Sequence, residues 1–163
     1  MDDDIDFFRR LEHAMTVRRR KILLIVDDNR MIRSLIRAIF ENHFSEYDLE
    51  ILTATSSDLA LQIIEQRKGD IDLITSNIHR PGMDGHVFSV FLRFKHPQIK
   101  ILLCSGRTKH RDLQEMLESG IIDAFVRKPI SERDLVEKAR AIFESQKLVR
   151  VSFPSESETP EAL

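Results

Sequence analysis

The chain is poor in cysteine, has no tryptophan, and contains few of the residues that break regular backbone. Its 163 residues include one cysteine, Cys104, one tyrosine, five glycines and five prolines. A single thiol excludes an internal disulfide and suits a reducing compartment. Neither sign of charge dominates: 25 Lys and Arg stand against 27 Asp and Glu, a formal net charge of -2. A dedicated nucleic-acid binder would be expected to carry a basic excess, so nucleic acid is not expected as a partner. No apolar run approaches the roughly 20 residues of a membrane span, and the N-terminus opens on acids, unlike a secretory signal. The expectation is a soluble, cytoplasmic protein with no membrane partner.

What the chain does have is alternation. Its length suits one domain with short tails. "KILLIV" is a continuous apolar run with β-branched residues, as in a strand buried on both faces. "MIRSLIRAIF" then carries a helical stripe of Met31, Ile32, Leu35, Ile36, Ile39 and Phe40. "LEILTA", "IDLITS", "KILLCS" and "DAFVR" read as four further strands, and "DLALQIIEQ", "HVFSVFLRF" and "RDLQEMLES" as the helices between them. Ser56 or Ser57 is placed to cap the second helix, and Gly120 to end the fourth. Ser131, with Asp134 three residues on, resembles a capping box opening the last helix. Five strands alternating with five helices specify an α/β fold. The best candidate is a doubly wound five-stranded parallel sheet of order 2-1-3-4-5, with helices on both faces.

The ends differ from this body, dividing the chain into residues 1–20, 21–147 and 148–163. "MDDDIDFFRRLEHAMTVRRR" sets Ile5, Phe8, Leu11 and Met15 at helical spacing, an amphipathic helix. Leaving Phe7 and Phe8 exposed would cost roughly 1.5–3 kcal/mol each relative to full burial. The helix is therefore expected to pack on its own domain or to meet a partner, a second copy included. "PSESETPEAL" is acidic, rich in Pro and Ser and without hydrophobic pattern, which favours disorder. Its last three letters spell a cyclic-dinucleotide phosphodiesterase signature, which as a lone tripeptide carries no weight. The basic run "RRRK", residues 18–21, reads as the solvated lead-in to the first strand.

In open α/β sheets ligands bind where strands end. Here the first strand ends in Asp27 and Asp28, the third in Asn77, the fourth in Ser105 and Gly106, and the fifth runs into Lys128 and Pro129. Two acids, an amide, a hydroxyl and an ammonium would converge on one crevice. Cys104, in a buried strand, reads as inert packing.

Taken together, "LLIVDDNRMIRSLI", "DLITSNIHRPGMDG", "ILLCSGR" and "AFVRKPIS" resemble the receiver domain of two-component response regulators, the CheY-like family, over residues 21–147. The resemblance implies that Asp27 and Asp28 hold Mg²⁺ together with the backbone carbonyl of His79. It implies that Ser105 and Lys128 bind the phosphoryl group, that Phe125 occupies the aromatic switch position, and that Pro129 follows a cis peptide bond. The phosphorylated aspartate would fall at position 77, where this chain has asparagine. A carboxylate oxygen must attack phosphorus to form the acyl phosphate, and an amide has no comparable nucleophile. Metal binding should weaken with the lost charge, leaving a weak or vestigial Mg²⁺ site and no other cofactor. His79 as an imidazole ligand to a transition metal is the less favoured alternative to a solvent-facing side chain.

The function expected is a stand-alone receiver-like protein in phosphorelay signalling, a pseudo-receiver that is not an enzyme and acts by protein contact. Its partner would be a histidine kinase or a downstream signalling protein, with a homodimer also possible. The fourth helix, fifth strand and fifth helix would form the contact surface, offering Arg111, Glu115, Arg133 and Glu137 as exposed charges. One alternative is a working phosphorelay receiver with another acceptor. Ser76 is adjacent, but the strand period of two should turn it to the other face. A phosphatase on the same fold is disfavoured, because "VDDNR" has its acids adjacent rather than separated by one residue. A flavodoxin-like phosphate site is disfavoured too, since two acids open the loop.

Overall fold

Strand β1, Arg20–Val26, is buried from its second residue onward, as a run of Lys-Ile-Leu-Leu-Ile-Val must be when helices cover both sides of it. In the computed structural model, which describes residues 4–8, 10, 20–78 and 83–147, it lies inside a five-stranded sheet. The other strands are β2 (Asp48–Ala54), β3 (Leu73–Asn77), β4 (Lys100–Ser105) and β5 (Ala124–Arg127). The order is β2-β1-β3-β4-β5 and every pairing is parallel, which is the doubly wound arrangement the alternation predicts. The helices are α1 (Arg30–His43), α2 (Ser57–Gln66), α3 (Gly85–Lys95), α4 (His110–Glu118) and α5 (Glu132–Lys147).

Because side chains alternate along a strand, the sheet feeds two separate cores. Leu23 and Ile25 of β1 face α1 and α5, meeting Phe40, Phe44 and Phe143. Leu24 and Val26 face α2, α3 and α4, meeting Ile64, Phe88, Leu92 and Leu113. Ser56 caps α2, accepting from the Leu59 N–H at 3.1 Å, and Gly120 takes φ +77° just beyond α4, where a side chain would be strained. Ser131 Oγ accepts from the Asp134 N–H at 3.3 Å, while the Asp134 carboxylate turns to Lys138. That completes half of the capping box.

Of the basic run, Arg18 and Arg19 lie outside the described residues, and Lys21 departs from the expected solvated role. Arg20 is exposed, but Lys21 is only 1% exposed, its ammonium 2.9 Å from Gln146 Oε1 and 3.7 Å from Asp72 Oδ1. Asp72, itself buried, accepts from the Ile22 N–H at 2.8 Å through its other oxygen. Gln146 in turn donates to the Asp72 carbonyl at 2.8 Å. A buried charge survives only when paired and hydrogen-bonded, and this network fastens β1, β3 and α5 where those strands begin.

At the N-terminus residues 4–8 and 10 are helical, and Ile5, Phe7 and Phe8 are exposed. Leu11, Met15 and the tail 148–163 lie outside the described residues. Helix α3 is apolar on two sides. Phe88 and Leu92 are buried, whereas Val87, Val90, Phe91 and Phe94 face solvent. No described helix is long and apolar enough to cross a membrane.

Candidate functional site

The strand ends meet in adjoining rows of the sheet. Val26, Ser76, Leu103 and Phe125 are successive partners in one row, and Asn77, Cys104 and Val126 in the next. Ser76 thus belongs to the face of Val26, Leu103 and Phe125, and Asn77 to the opposite one. Asp27 follows Val26 directly and lies beside Asn77. It is 1% exposed, and its backbone is held by a bond from its N–H to the Ala54 carbonyl at 3.1 Å.

The Asp27 carboxylate is already committed. Its Oδ2 is 3.2 Å from Lys128 Nζ, and its Oδ1 accepts from the Asn29 N–H at 2.8 Å. Asn29 also caps α1, accepting from the Met31 N–H at 2.9 Å, and Arg33 donates to the Asp27 carbonyl at 2.8 Å. Asp28 is exposed. Ser105 is fully buried, its Oγ accepting from the Thr108 N–H at 3.2 Å, and the Lys128 N–H donates to the Ser105 carbonyl at 2.8 Å. The Lys128–Pro129 bond is cis. Phe125 is buried, edge-on to His110 with centroids 5.4 Å apart, and Lys138 Nζ stands 5.1 Å from its ring centroid. Burial pushes the Cys104 thiol up to about 12, which keeps it protonated and unreactive near neutral pH.

Sequence reading singled out Asp27, Asp28, Asn77, Ser105, Phe125, Lys128 and Pro129, and the sheet brings all of them to one end. His79 lies outside the described residues. It missed the partners that hold these groups: Asn29, Arg33 and Thr108. Asn29 carried a visible signal, since Asp-Asn before an apolar helical stripe is a capping pattern.

Gly85 was also missed. Its N–H donates to the Ile78 carbonyl at 2.8 Å, and a Cβ built there would stand 2.6 Å from the Asn77 carbonyl oxygen. Only glycine lets the start of α3 approach the strand end that closely. Gly85→Ala is expected to cost about 1–3 kcal/mol by overpacking, measured as a lowered midpoint in urea.

The residues present do not fit a resident Mg²⁺ well. The described crevice offers two carboxylates and an amide, and Asp27 already neutralises Lys128. Among the described residues no group of three or more His, Cys, Asp or Glu side chains comes together to hold a metal.

A doubly wound sheet with an acid pair, a buried serine and a lysine before a cis proline at its strand ends is the architecture of a signal receiver. Residues 23–140 match the family described as response regulator receiver domain, and the chain belongs to that family. It is 29% identical over 140 residues to a probable transcriptional regulatory protein of Picosynechococcus, covering 83% of this chain and 53% of that protein. It is 31% identical over 121 residues to the transcriptional regulatory protein AruR of Pseudomonas aeruginosa, covering 72% of this chain and 47% of AruR. The chain thus spans about half the length of these relatives. A receiver domain protein from Clostridium thermocellum superposes with a TM-score of 0.70 at 22% identity, over 79% of this chain and 98% of the other. A CheY-like receiver from Methanospirillum hungatei gives 0.64 at 27% identity, over 78% of this chain and 98% of the other.

Proposed function

We propose that this receiver domain signals by protein contact and takes no phosphoryl group at residue 77, as a stand-alone pseudo-receiver rather than an enzyme. The observation that carries the reading is the amide of Asn77, 8% exposed at the end of β3 and beside the Asp27–Lys128 pair. A neutral amide there leaves Lys128 free to hold Asp27 and removes the repulsion a third acid would bring, so the crevice rests comfortably without metal. Asp27 and Asp28 remain as a vestigial Mg²⁺ pair, and Ser105, Lys128 and Phe125 as the groups that would answer a phosphoryl if one arrived. Ser76 is no substitute acceptor, because it belongs to the opposite face of the sheet.

The partner is a protein, a histidine kinase or a downstream signalling component, bound through α4, β5 and α5. Arg111–Glu115 and Arg133–Glu137 are exposed pairs within those helices, at 3.8 and 3.1 Å. Such exposed pairs contribute little to stability, so a partner can exchange them at small cost. The test is intact mass of the native chain after incubation with Mg²⁺ and a small acyl-phosphate donor. No gain is expected. Gain of one phosphoryl group overturns the reading, and fragment masses would then locate the acceptor.

A further inference from the structure

The outer side of α3 is a continuous apolar stripe. Val87, Val90, Phe91 and Phe94 stand at spacings of three, four and seven residues, all exposed, with Phe94 at 90%. Scattered apolar residues on a surface are ordinary, but a contiguous stripe opposite an already buried face marks a contact site. A helix that is apolar on both sides is built to be covered on both.

The same chain carries a second exposed apolar surface. Ile5, Phe7 and Phe8 lie on the N-terminal helical stretch with Phe8 at 64% exposure. The leading residues of the N-terminal segment and helix α3 carry opposite charge, with Arg9 and Arg10 following directly on the former. Residues 1–8 include four acids, Asp2, Asp3, Asp4 and Asp6, and no base. Helix α3 has no acid, and Lys95 places its ammonium 5.6 Å from the centroid of the Phe91 ring, on the stripe itself. Asp6 is paired with Arg10 at 3.0 Å, but both side chains are largely exposed, and such a pair is readily exchanged.

We propose that two copies of the chain form a reciprocal dimer, in which the N-terminal segment of each lies along the outer stripe of α3 of the other. A second copy is favoured over the same chain's own segment because both surfaces remain open within one chain, and because exchange uses each of them twice. An aromatic side chain buries about 150–250 Å². Phe7, Phe8, Phe91 and Phe94 are 58, 64, 37 and 90% exposed, so with Ile5, Val87 and Val90 two chains can cover roughly 1,000–1,600 Å², the lower part of the range of about 1,200–2,000 Å² that a specific interface needs. The arrangement is two-fold and closes on itself, as isologous dimers do. It leaves the crevice and the α4–β5–α5 surface open.

Sedimentation velocity on the full chain at micromolar concentration tests this, with Phe8→Glu and Phe94→Glu as variants. Both side chains are exposed, so each variant should keep the native circular dichroism. The native chain is expected to be a dimer and each variant alone a monomer. An equimolar mixture of the two variants should associate measurably more than either variant alone, because one of the two reciprocal contacts is intact in the mixed pair. A monomeric native chain overturns the proposal and points to the chain's own segment, or to another protein, as the cover. A dimer that survives Phe8→Glu but not Phe94→Glu means that the two α3 stripes pair directly. A mixture that associates no more than either variant alone, up to the highest concentration reached, also rules out the reciprocal arrangement.

Discussion

Asn77→Asp is expected to turn the chain into a phosphoryl acceptor. With Mg²⁺ and a small acyl-phosphate donor the variant should gain one phosphoryl group where the native chain gains none. The substitution changes no side-chain volume of consequence and supplies the anionic oxygen that attack on phosphorus requires. It should also reverse the stability of the empty crevice. A unit charge at about 4 Å from another is worth on the order of 4 kcal/mol at an effective dielectric near 20, and the new carboxylate would stand beside Asp27 and Asp28, with Lys128 already paired to Asp27. After partial relief by Lys128 and solvent, the metal-free variant should be about 1–2 kcal/mol less stable than the native chain. Mg²⁺ at a hundred times its dissociation constant should then return about 2.7 kcal/mol to the variant. Urea denaturation with and without Mg²⁺ reads both effects, and the native chain should respond weakly. If Asn77→Asp neither accepts phosphate nor answers to Mg²⁺, the amide is not what silences this crevice.

Lys21→Ala should be among the most damaging single changes to stability. It leaves the buried Asp72 carboxylate without the ammonium that stands 3.7 Å away, and removes the donor to Gln146. Breaking a buried pair from one side costs about 3–5 kcal/mol, because the remaining charge stays in a medium that cannot solvate it. In a chain of this size that is a fall in Tm of about 6–20 °C. Lys21→Met combined with Asp72→Asn should recover much of the loss, since it removes both charges and keeps an acceptor for the Ile22 N–H. A single-variant cost below about 1 kcal/mol would mean that water reaches the pair and that it behaves as a surface contact.

The fold was legible because each strand announces itself as a short apolar run and each helix as a 3.6-residue stripe. Right-handed crossovers then leave few sheet orders. The crevice was legible for a related reason: strand ends converge wherever a parallel sheet exists, so the residues closing each run could be gathered before any geometry was known. Lys21 was not legible. Charge pattern alone makes the end of "RRRK" look solvated, and its partners Asp72 and Gln146 are 51 and 125 residues away in sequence. The two-sided character of α3 could have been read. Val87, Phe88, Val90, Phe91, Leu92 and Phe94 are more apolar positions than one buried face can use, but a helix assignment does not ask how many faces are filled.

That excess also poses a problem of orientation. A helix with two greasy sides has two ways to lie on a sheet, half a turn apart, and burial alone discriminates weakly between them. What decides is the tether at its first turn. Gly85 is bonded to Ile78 with no room for a side chain, Asp84 accepts from the Val87 N–H at 2.9 Å, and Ser57 holds the Met83 carbonyl at 2.8 Å. These anchors fix the rotation of α3 that turns Phe88 rather than Phe91 inward. The contacts at the first turn of α3 therefore also select one of two competing packings of the same helix, a discrimination against the near-degenerate alternative that hydrophobicity by itself would not supply.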